Sequence, residues 1–169
     1  MEYMVIIIYN DKEGGCFMEN IKIREYQQQD WQRLIEIHDK ARANELQLAG
    51  LNDAFLPLAE AAFREGLFEY TICVATISKE VLGFAAYTEE ELAWLYVDPA
   101  YNHRGIGKSL IEYVIKNITK RPIHVEVLAG NEPAINLYKS MGFETVEVCS
   151  GSMPGNESFH VTVHCMQKL

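Results

Sequence analysis

Residues 91–115 read ELAWLYVDPAYNHRGIGKSLIEYVI and combine an apolar run, a glycine loop and a helical repeat. The apolar run at 92–97 predicts a β-strand, which Asp98 and Pro99 end. From Ile106 onward, apolar residues recur three and four positions apart, which predicts a helix with one buried face. The glycine loop therefore lies between a strand and the start of a helix.

This glycine loop is suited to bind a phosphate group. The first N–H groups of a helix have no partner within the helix and lie at the positive end of its dipole, so they attract anions. Gly105 and Gly107 keep side chains away from these amides, and Arg104 and Lys108 add positive charge. We therefore predict a pyrophosphate site formed mainly by main-chain groups.

Two nucleotide-binding motifs overlap the loop, and neither is complete. Residues 107–109 match the end of the triphosphate motif G-x-x-x-x-G-K-[ST], but Asn102 stands where the motif begins with glycine. Residues 105–107 begin a dinucleotide fingerprint, but Leu110 replaces its last glycine. Because the loop is also separated from its strand by residues 98–101, an ATP- or GTP-binding module is the weaker alternative.

Composition limits the classes of partner. The net charge of −9 argues against binding to nucleic acid and favours a cationic substrate such as an amine. No apolar run is long enough to cross a bilayer and no basic segment precedes the first apolar run, so we expect a cytoplasmic protein without a membrane partner. The four cysteines include no C-x-x-C pair, and we expect neither a disulfide framework nor a metal site.

The rest of the chain alternates strands and helices in a single mixed α/β (α+β) domain. We predict a helix capped by Asp30, and a second helix from Asn52 or Asp53 that Gly66 closes, with an inward face formed by Phe55, Leu58, Ala59, Ala62 and Phe63. Three runs at 70–77, 81–87 and 92–97 predict an antiparallel meander. The remaining predicted elements are a helix at 105–118, a strand at 123–128, a helix at 132–141, and strands at 143–149 and 159–165 joined by the loop SGSMPGNES.

Residues 1–17 fit poorly with the rest of the chain. Met18 is a natural start, and residues 12–15 can be encoded by a purine-rich sequence similar to a bacterial ribosome-binding site. We expect 1–17 to be a mis-called or non-native extension and 18–169 to be the domain; the alternative is an extra edge strand at 5–9. The intact mass of the protein made from its native locus distinguishes the two.

Two ordered motifs resemble the GCN5-related N-acetyltransferase (GNAT) superfamily. Residues 91–115 resemble its acetyl-CoA-binding segment, in which a strand ending V-D/H-P runs into [QR]-x-x-G-x-[GA] and a helix. Residues 131–143, NEPAINLYKSMGF, resemble the next segment, N-x-x-A-x-x-x-Y-x-x-x-G-F. The resemblance covers about residues 20–169. It implies a mostly antiparallel, splayed sheet flanked by about four helices, and direct transfer of acetyl from acetyl-CoA to an amine.

The resemblance also implies roles for particular residues. Main-chain groups of three strand residues would pair with pantetheine, and Asn131 would contact the cofactor from its helix start. The strand residues are Leu95, Tyr96 and Val97, and the pyrophosphate would be held by amides of His103, Arg104, Gly105, Ile106, Gly107 and Lys108. Asn102 replaces the family's usual Gln or Arg, so we expect weakened cofactor affinity at most.

Tyr138 occupies the family's tyrosine position, and a phenol with a pKa of about 10 can protonate the leaving thiolate. A glutamate twelve residues before that tyrosine is the base in the family's ribosomal-protein N-terminal branch, which makes Glu126 the candidate base and Glu91 the next. The acceptor is a small amine, an amino acid or a protein N-terminus, and a homodimer is left open. A catalytically inactive acyl-CoA-binding sensor of the same fold is the alternative function.

Overall fold

The fold is that of a computed structural model, which describes residues 3–10 and 16–169, with side chains from residue 20 onward. The described part has eight strands and four α-helices. The strands are β1 Tyr3–Asn10, β2 Cys16–Glu25, β3 Thr71–Ile77, β4 Glu80–Tyr87, β5 Leu92–Val97, β6 Ile123–Leu128, β7 Glu144–Met153 and β8 Asn156–Lys168. The helices are α1 Trp31–Leu48, α2 Leu58–Arg64, α3 Ile106–Asn117 and α4 Glu132–Ser140.

The strands form two antiparallel sheets that meet at one point. Strands β1 to β5 form a sheet in sequence order, and β8 lies between β6 and β7 in the second sheet. Strands β5 and β6 run parallel and touch at a single bridge between Glu91 and His124, after which they diverge. The predicted mixed, mostly antiparallel and splayed sheet with about four helices is confirmed.

Helices cover both faces of the five-stranded sheet. On one face, Leu110, Ile111 and Val114 of α3 pack on the inner side chains of β2 to β4. On the other face, Leu34 and Ile37 of α1 belong to a second buried cluster with α2 and β3 to β5. Because both faces are covered, β3 and β4 are almost continuously apolar, as expected for strands buried on two sides.

The start of α2 was predicted wrongly. Residues 52–54 form a separate 3₁₀ turn, and α2 begins after Pro57, which supplies the fixed φ that suits a helix start. Leu58 and Ala62 are buried as predicted, together with Ala61. Phe63, predicted to face inward, is 76% exposed.

Two other local predictions need correction. Most of the predicted loop SGSMPGNES belongs to β7 and β8, because the two-residue turn at Pro154 and Gly155 lets the strands pair up to Met153 and Asn156. Asp30 precedes α1 but does not cap it with its side chain. Its carboxylate instead accepts hydrogen bonds from Arg24 and from the Gln27 amide.

The N-terminal strand β1 pairs antiparallel with β2, with Val5 opposite Ile21. This arrangement matches the alternative of an added edge strand. Residues 1, 2 and 11–15, which include the segment with the ribosome-binding-site resemblance, lie outside the described residues. The native start at Met18 stays a prediction.

Candidate active site

A cavity of about 860 Å³ fills the space that opens between β5 and β6. Its α3 side is formed by β5, α3 and α4, and its α1 side by α1, α2 and the β7–β8 turn. The cavity exists because the two strands part after the Glu91–His124 bridge, which exposes the edges of both sheets to a common space. Nearly all the residues predicted for the site line this cavity.

The start of α3 presents main-chain donors to the cavity. Gly105 has φ 77°, a left-handed conformation that glycine adopts without steric cost, and its carbonyl accepts the first helical hydrogen bond, from the Ser109 amide at 2.9 Å. The amides of residues 106–108 therefore have no carbonyl partner within the helix. Gly105, Ile106, Gly107, Lys108 and His103 line the cavity.

Arg104, unlike the other residues predicted to hold the pyrophosphate, does not line the cavity. Its guanidinium carbon lies 5.1 Å from the centre of the Tyr101 ring, in a cation–π contact. Ser109 is also turned away, because its buried hydroxyl donates to the Gly105 carbonyl at 3.0 Å. Ser109 is buried and does not line the cavity, so the hydroxyl that a triphosphate loop uses to bind magnesium is not presented there, which weighs against the ATP- or GTP-binding alternative.

Strand β5 lies along the cavity with one edge towards β4. Leu95 pairs with Ala85 and Val97 pairs with Gly83, so the opposite edge of β5 borders the cavity. A Cβ atom on Gly83 would lie 2.9 Å from the Tyr96 carbonyl oxygen, so glycine lets β4 and β5 approach closely. The structure places Leu95, Tyr96 and Val97 in the wall of the same cavity as the start of α3, and their pairing with a cofactor stays a prediction.

Helix α4 contributes two of the predicted residues. The Asn131 side-chain oxygen accepts from the Ala134 amide at 3.3 Å and caps the helix, while its nitrogen donates to Glu45 at 3.3 Å. Tyr138 is buried against Phe143, with ring centres 5.4 Å apart, and lines the cavity. Burial raises the pKa of Tyr138, so the phenol holds its proton throughout the neutral range.

The two candidate bases differ in their surroundings. Glu91 is half-buried, and burial together with the charge of Glu126 raises the pKa of Glu91. Glu126 is exposed on β6, directly opposite Cys165 of β8. Both line the cavity near its narrow end, where Glu91 bridges His124.

The α1 side contains residues that sequence reasoning missed. Arg42 and Glu45 form an ion pair at 2.6 Å, and burial raises the pKa of Glu65 nearby. His38 is buried and also lines the cavity. Its Nδ1 lies 2.9 Å from the Asp39 carboxylate, and burial lowers the pKa of His38, which favours the neutral ring.

These residues carried only a weak signal in the sequence. Arg42, Glu45 and Glu65 lie on amphipathic helical segments where charged residues usually face water. Within residues 20–169 no group of three or more His, Cys, Asp or Glu is arranged to hold a metal ion. In the same part of the chain, no helix has the length and apolar character required to span a bilayer.

Similarity to known proteins identifies the family. The domain family described as "Acetyltransferase (GNAT) domain" matches residues 69–145, which include β3 to β6, α3 and α4. The uncharacterized N-acetyltransferase YafP of Escherichia coli (strain K12) is 30% identical over 133 residues, covering 77% of this chain and 85% of YafP. The chain belongs to the GNAT superfamily of acetyltransferases.

A second relative matches a smaller part of the chain. The ribosomal protein bS18 alanine N-acetyltransferase of Escherichia coli (strain K12) is 38% identical over 63 residues, or 36% of this chain and 43% of that enzyme. The GNAT assignment and the names of these relatives support acetyltransferase activity for this chain.

Solved GNAT structures confirm the fold. A GCN5-related N-acetyltransferase from Rhodopseudomonas palustris is 21% identical, with a TM-score of 0.71 over 86% of this chain and 93% of its own. The acetyltransferase yncA from Salmonella typhimurium, solved with its cofactor acetyl-CoA, is 20% identical, with a TM-score of 0.61 over 87% and 92% of the two chains. At these identities the likeness concerns the fold.

Proposed function

We propose that this GNAT protein transfers acetyl from acetyl-CoA directly to an amine in the cavity between β5 and β6. One observation carries the proposal: the amides of residues 106–108, which have no carbonyl partner within α3, the edge of β5 and Tyr138 all border the same cavity. The first can bind an anion, the second can pair with an extended amide chain, and the third can donate a proton.

The α3 side fits coenzyme A. Amides 106–108 suit a pyrophosphate at a helix start, and Gly105 leaves the approach to them open. The edge of β5 at Leu95 to Val97 offers main-chain groups to the two amides of pantetheine. We propose that Asn131 contacts the cofactor, and that Arg104 acts through its charge because it does not line the cavity. The structure of yncA with acetyl-CoA supports this cofactor.

Tyr138 is the proposed acid. When the amine attacks the thioester carbonyl, the tetrahedral intermediate collapses by breaking the carbon–sulfur bond, and the departing thiolate needs a proton. A buried phenol with a raised pKa remains protonated at neutral pH and is placed in the cavity wall. We propose that the Tyr138 hydroxyl donates this proton.

A carboxylate must also take a proton from the incoming ammonium. The sequence predicts Glu126 as the base. In the structure, however, burial and the charge of Glu126 raise the pKa of Glu91 towards neutral pH, where a general base works best. We therefore propose Glu91 as the base, with Glu126 as the neighbouring charge that tunes it. If so, Glu91→Gln lowers kcat about 100-fold or more, whereas Glu126→Gln shifts the acidic limb of the pH–rate profile to lower pH.

The acceptor is proposed to be a cationic amine before it reacts. Glu65, Glu91 and Glu126 line the cavity, and the charge of Arg42 is balanced by Glu45. This excess of carboxylates attracts an ammonium group and disfavours an acidic substrate. The name of the bS18 relative favours including peptides with an N-terminal alanine beside small amines and amino acids. A cytoplasmic location remains a prediction.

The test is a panel of amines and short peptides, with the acetylated product detected by mass. Tyr138→Phe should lower kcat about 100-fold while acetyl-CoA affinity is kept, because only the proton donor is lost. Tyr26→Phe is the matched control, since it removes a buried hydroxyl that has no hydrogen-bond partner among the described residues and does not line the cavity. Equal turnover of the two variants would refute the role of Tyr138, and acetyl-CoA binding without any turnover would indicate the sensor.

A further inference from the structure

Two cysteines lie side by side outside the proposed catalytic groups. The Sγ atoms of Cys149 on β7 and Cys165 on β8 are 3.0 Å apart. Both side chains are half-buried, so solvent and small reagents can reach them, whereas Cys73 is buried. The GNAT transfer proposed above uses none of these thiols.

The strand register fixes the two thiols on one face of the second sheet. Cys149 pairs with Val163, and Cys165 pairs with Glu147, so the cysteines are diagonal neighbours across adjacent strands. Residues opposite each other in an antiparallel ladder, and residues two apart in one strand, share a face. The short turn at Pro154 and Gly155 keeps the two strands paired, so the contact does not depend on a long loop.

We propose that Cys149 and Cys165 form a reversible disulfide when the protein meets a low-molecular-weight disulfide. A sulfur–sulfur bond is about 2.0 Å long, so the two sulfurs must approach by roughly 1 Å from the reduced arrangement. Because β7 and β8 are already held in register, the bond needs side-chain rotation and a small strand adjustment rather than refolding.

The reaction is thiol–disulfide exchange, here with oxidised glutathione as the oxidant. The Cys165 thiolate attacks one sulfur of glutathione disulfide, whose sulfur–sulfur bond breaks and releases one glutathione thiolate. Cys149 then loses its proton and attacks the Cys165 sulfur, which releases the second glutathione. Two protein thiols are oxidised to one disulfide, and one glutathione disulfide is reduced to two thiols.

The two thiols share a hydrogen bond, which raises the pKa of Cys149. The same exchange balances with Cys149 as the first nucleophile and Cys165 as the thiol that closes the disulfide.

The experiment uses the full chain carrying Cys16→Ser, which removes a cysteine whose side chain lies outside the described part. The protein is incubated with oxidised glutathione, quenched with an alkylating reagent and mapped by peptide mass before and after reduction. We expect one peptide pair joined through Cys149 and Cys165, return to two thiols with reductant, and no reaction at Cys73, which is the internal control.

Single substitutions give a second measurement. Cys149→Ser should trap one stable glutathione on Cys165, and Cys165→Ser should trap one on Cys149, because neither variant has a second thiol to displace it. Two results in the protein that retains both Cys149 and Cys165 would overturn the proposal. The first is a glutathione adduct on each cysteine without the joined peptide pair. The second is two unreacted thiols at a concentration of oxidised glutathione that is high enough to label Cys165 in Cys149→Ser.

Discussion

Replacing Gly105 by alanine tests the proposed pyrophosphate site. Gly105 has φ 77°, and a left-handed conformation costs an alanine about 1–2 kcal/mol. For a domain of this size, that cost lowers Tm by about 2–8 °C. The same dihedral angles set the directions of the next amides, so relief of the strain would turn one or more of them from the phosphate.

The expected loss of affinity can be worked from those amides. A hydrogen bond to a charged group contributes about 1.5–3 kcal/mol, and the loss of one such bond weakens binding about 10- to 150-fold. Isothermal calorimetry with acetyl-CoA measures the change directly. Thermal unfolding without ligand measures the accompanying change in stability.

Gly50→Ala is the matched control. Gly50 has φ 71°, its added Cβ would meet no atom within 4 Å, and it does not line the cavity. It follows the end of α1, where the Leu51 amide donates to the Leu46 carbonyl at 2.8 Å. Both variants should lose similar stability, but only Gly105→Ala should lose affinity. If both bind acetyl-CoA equally well, the pyrophosphate lies elsewhere and the proposed site is wrong.

Three further predictions concern stability. Burial raises the pKa of Glu65, so the ionised carboxylate destabilises the folded protein at pH 7. Glu65→Gln should therefore raise Tm at pH 7, and the gain should vanish below pH 4, where the carboxyl is protonated in both the folded and the unfolded state. Phe143→Ala should lower the free energy of unfolding in urea by about 3–5 kcal/mol because Phe143 is 1% exposed. The control Phe63→Ala should lower it by less than about 0.5 kcal/mol. Equal losses in the two variants would contradict the packing. The hydrogen bond from Arg24 lowers the pKa of Asp30, so Asp30→Asn should cost about 2 kcal/mol at pH 7, and the difference should shrink as the pH falls below the ordinary range of an aspartate; a constant difference would refute the ion pair.

The α3 side of the cavity was predictable because its signals are local. The predicted helix 105–118 is observed at Ile106–Asn117, and Asn131 caps α4 as expected. At both helix starts, a residue suited to that position, Gly105 or Asn131, comes directly before an apolar repeat with helical spacing. A few neighbouring residues therefore determine where each helix begins. The predicted roles of Tyr138 and Glu126 remain predictions.

The α1 side was not predictable from such signals. Pro57 moves the start of α2 by several residues, and periodicity alone reveals neither that shift nor the exposure of Phe63. Arg42 and Glu65 influence each other electrostatically only because α1 and α2 pack on the same sheet, which brings together residues that are far apart in the sequence. The polar ends of β7 and β8 resemble a loop because both strands expose many side chains there.

The parting of β5 from β6 places the two walls of the cavity on different parts of the chain. The match to the GNAT domain family covers residues 69–145, which hold the α3 side, while α1, α2 and the β7–β8 turn fall outside it. Substitutions in α1, α2 or the hairpin tip can therefore reshape one wall without changing the glycine loop. Under the function proposed above, such substitutions would alter the choice of acceptor and leave the cofactor site intact.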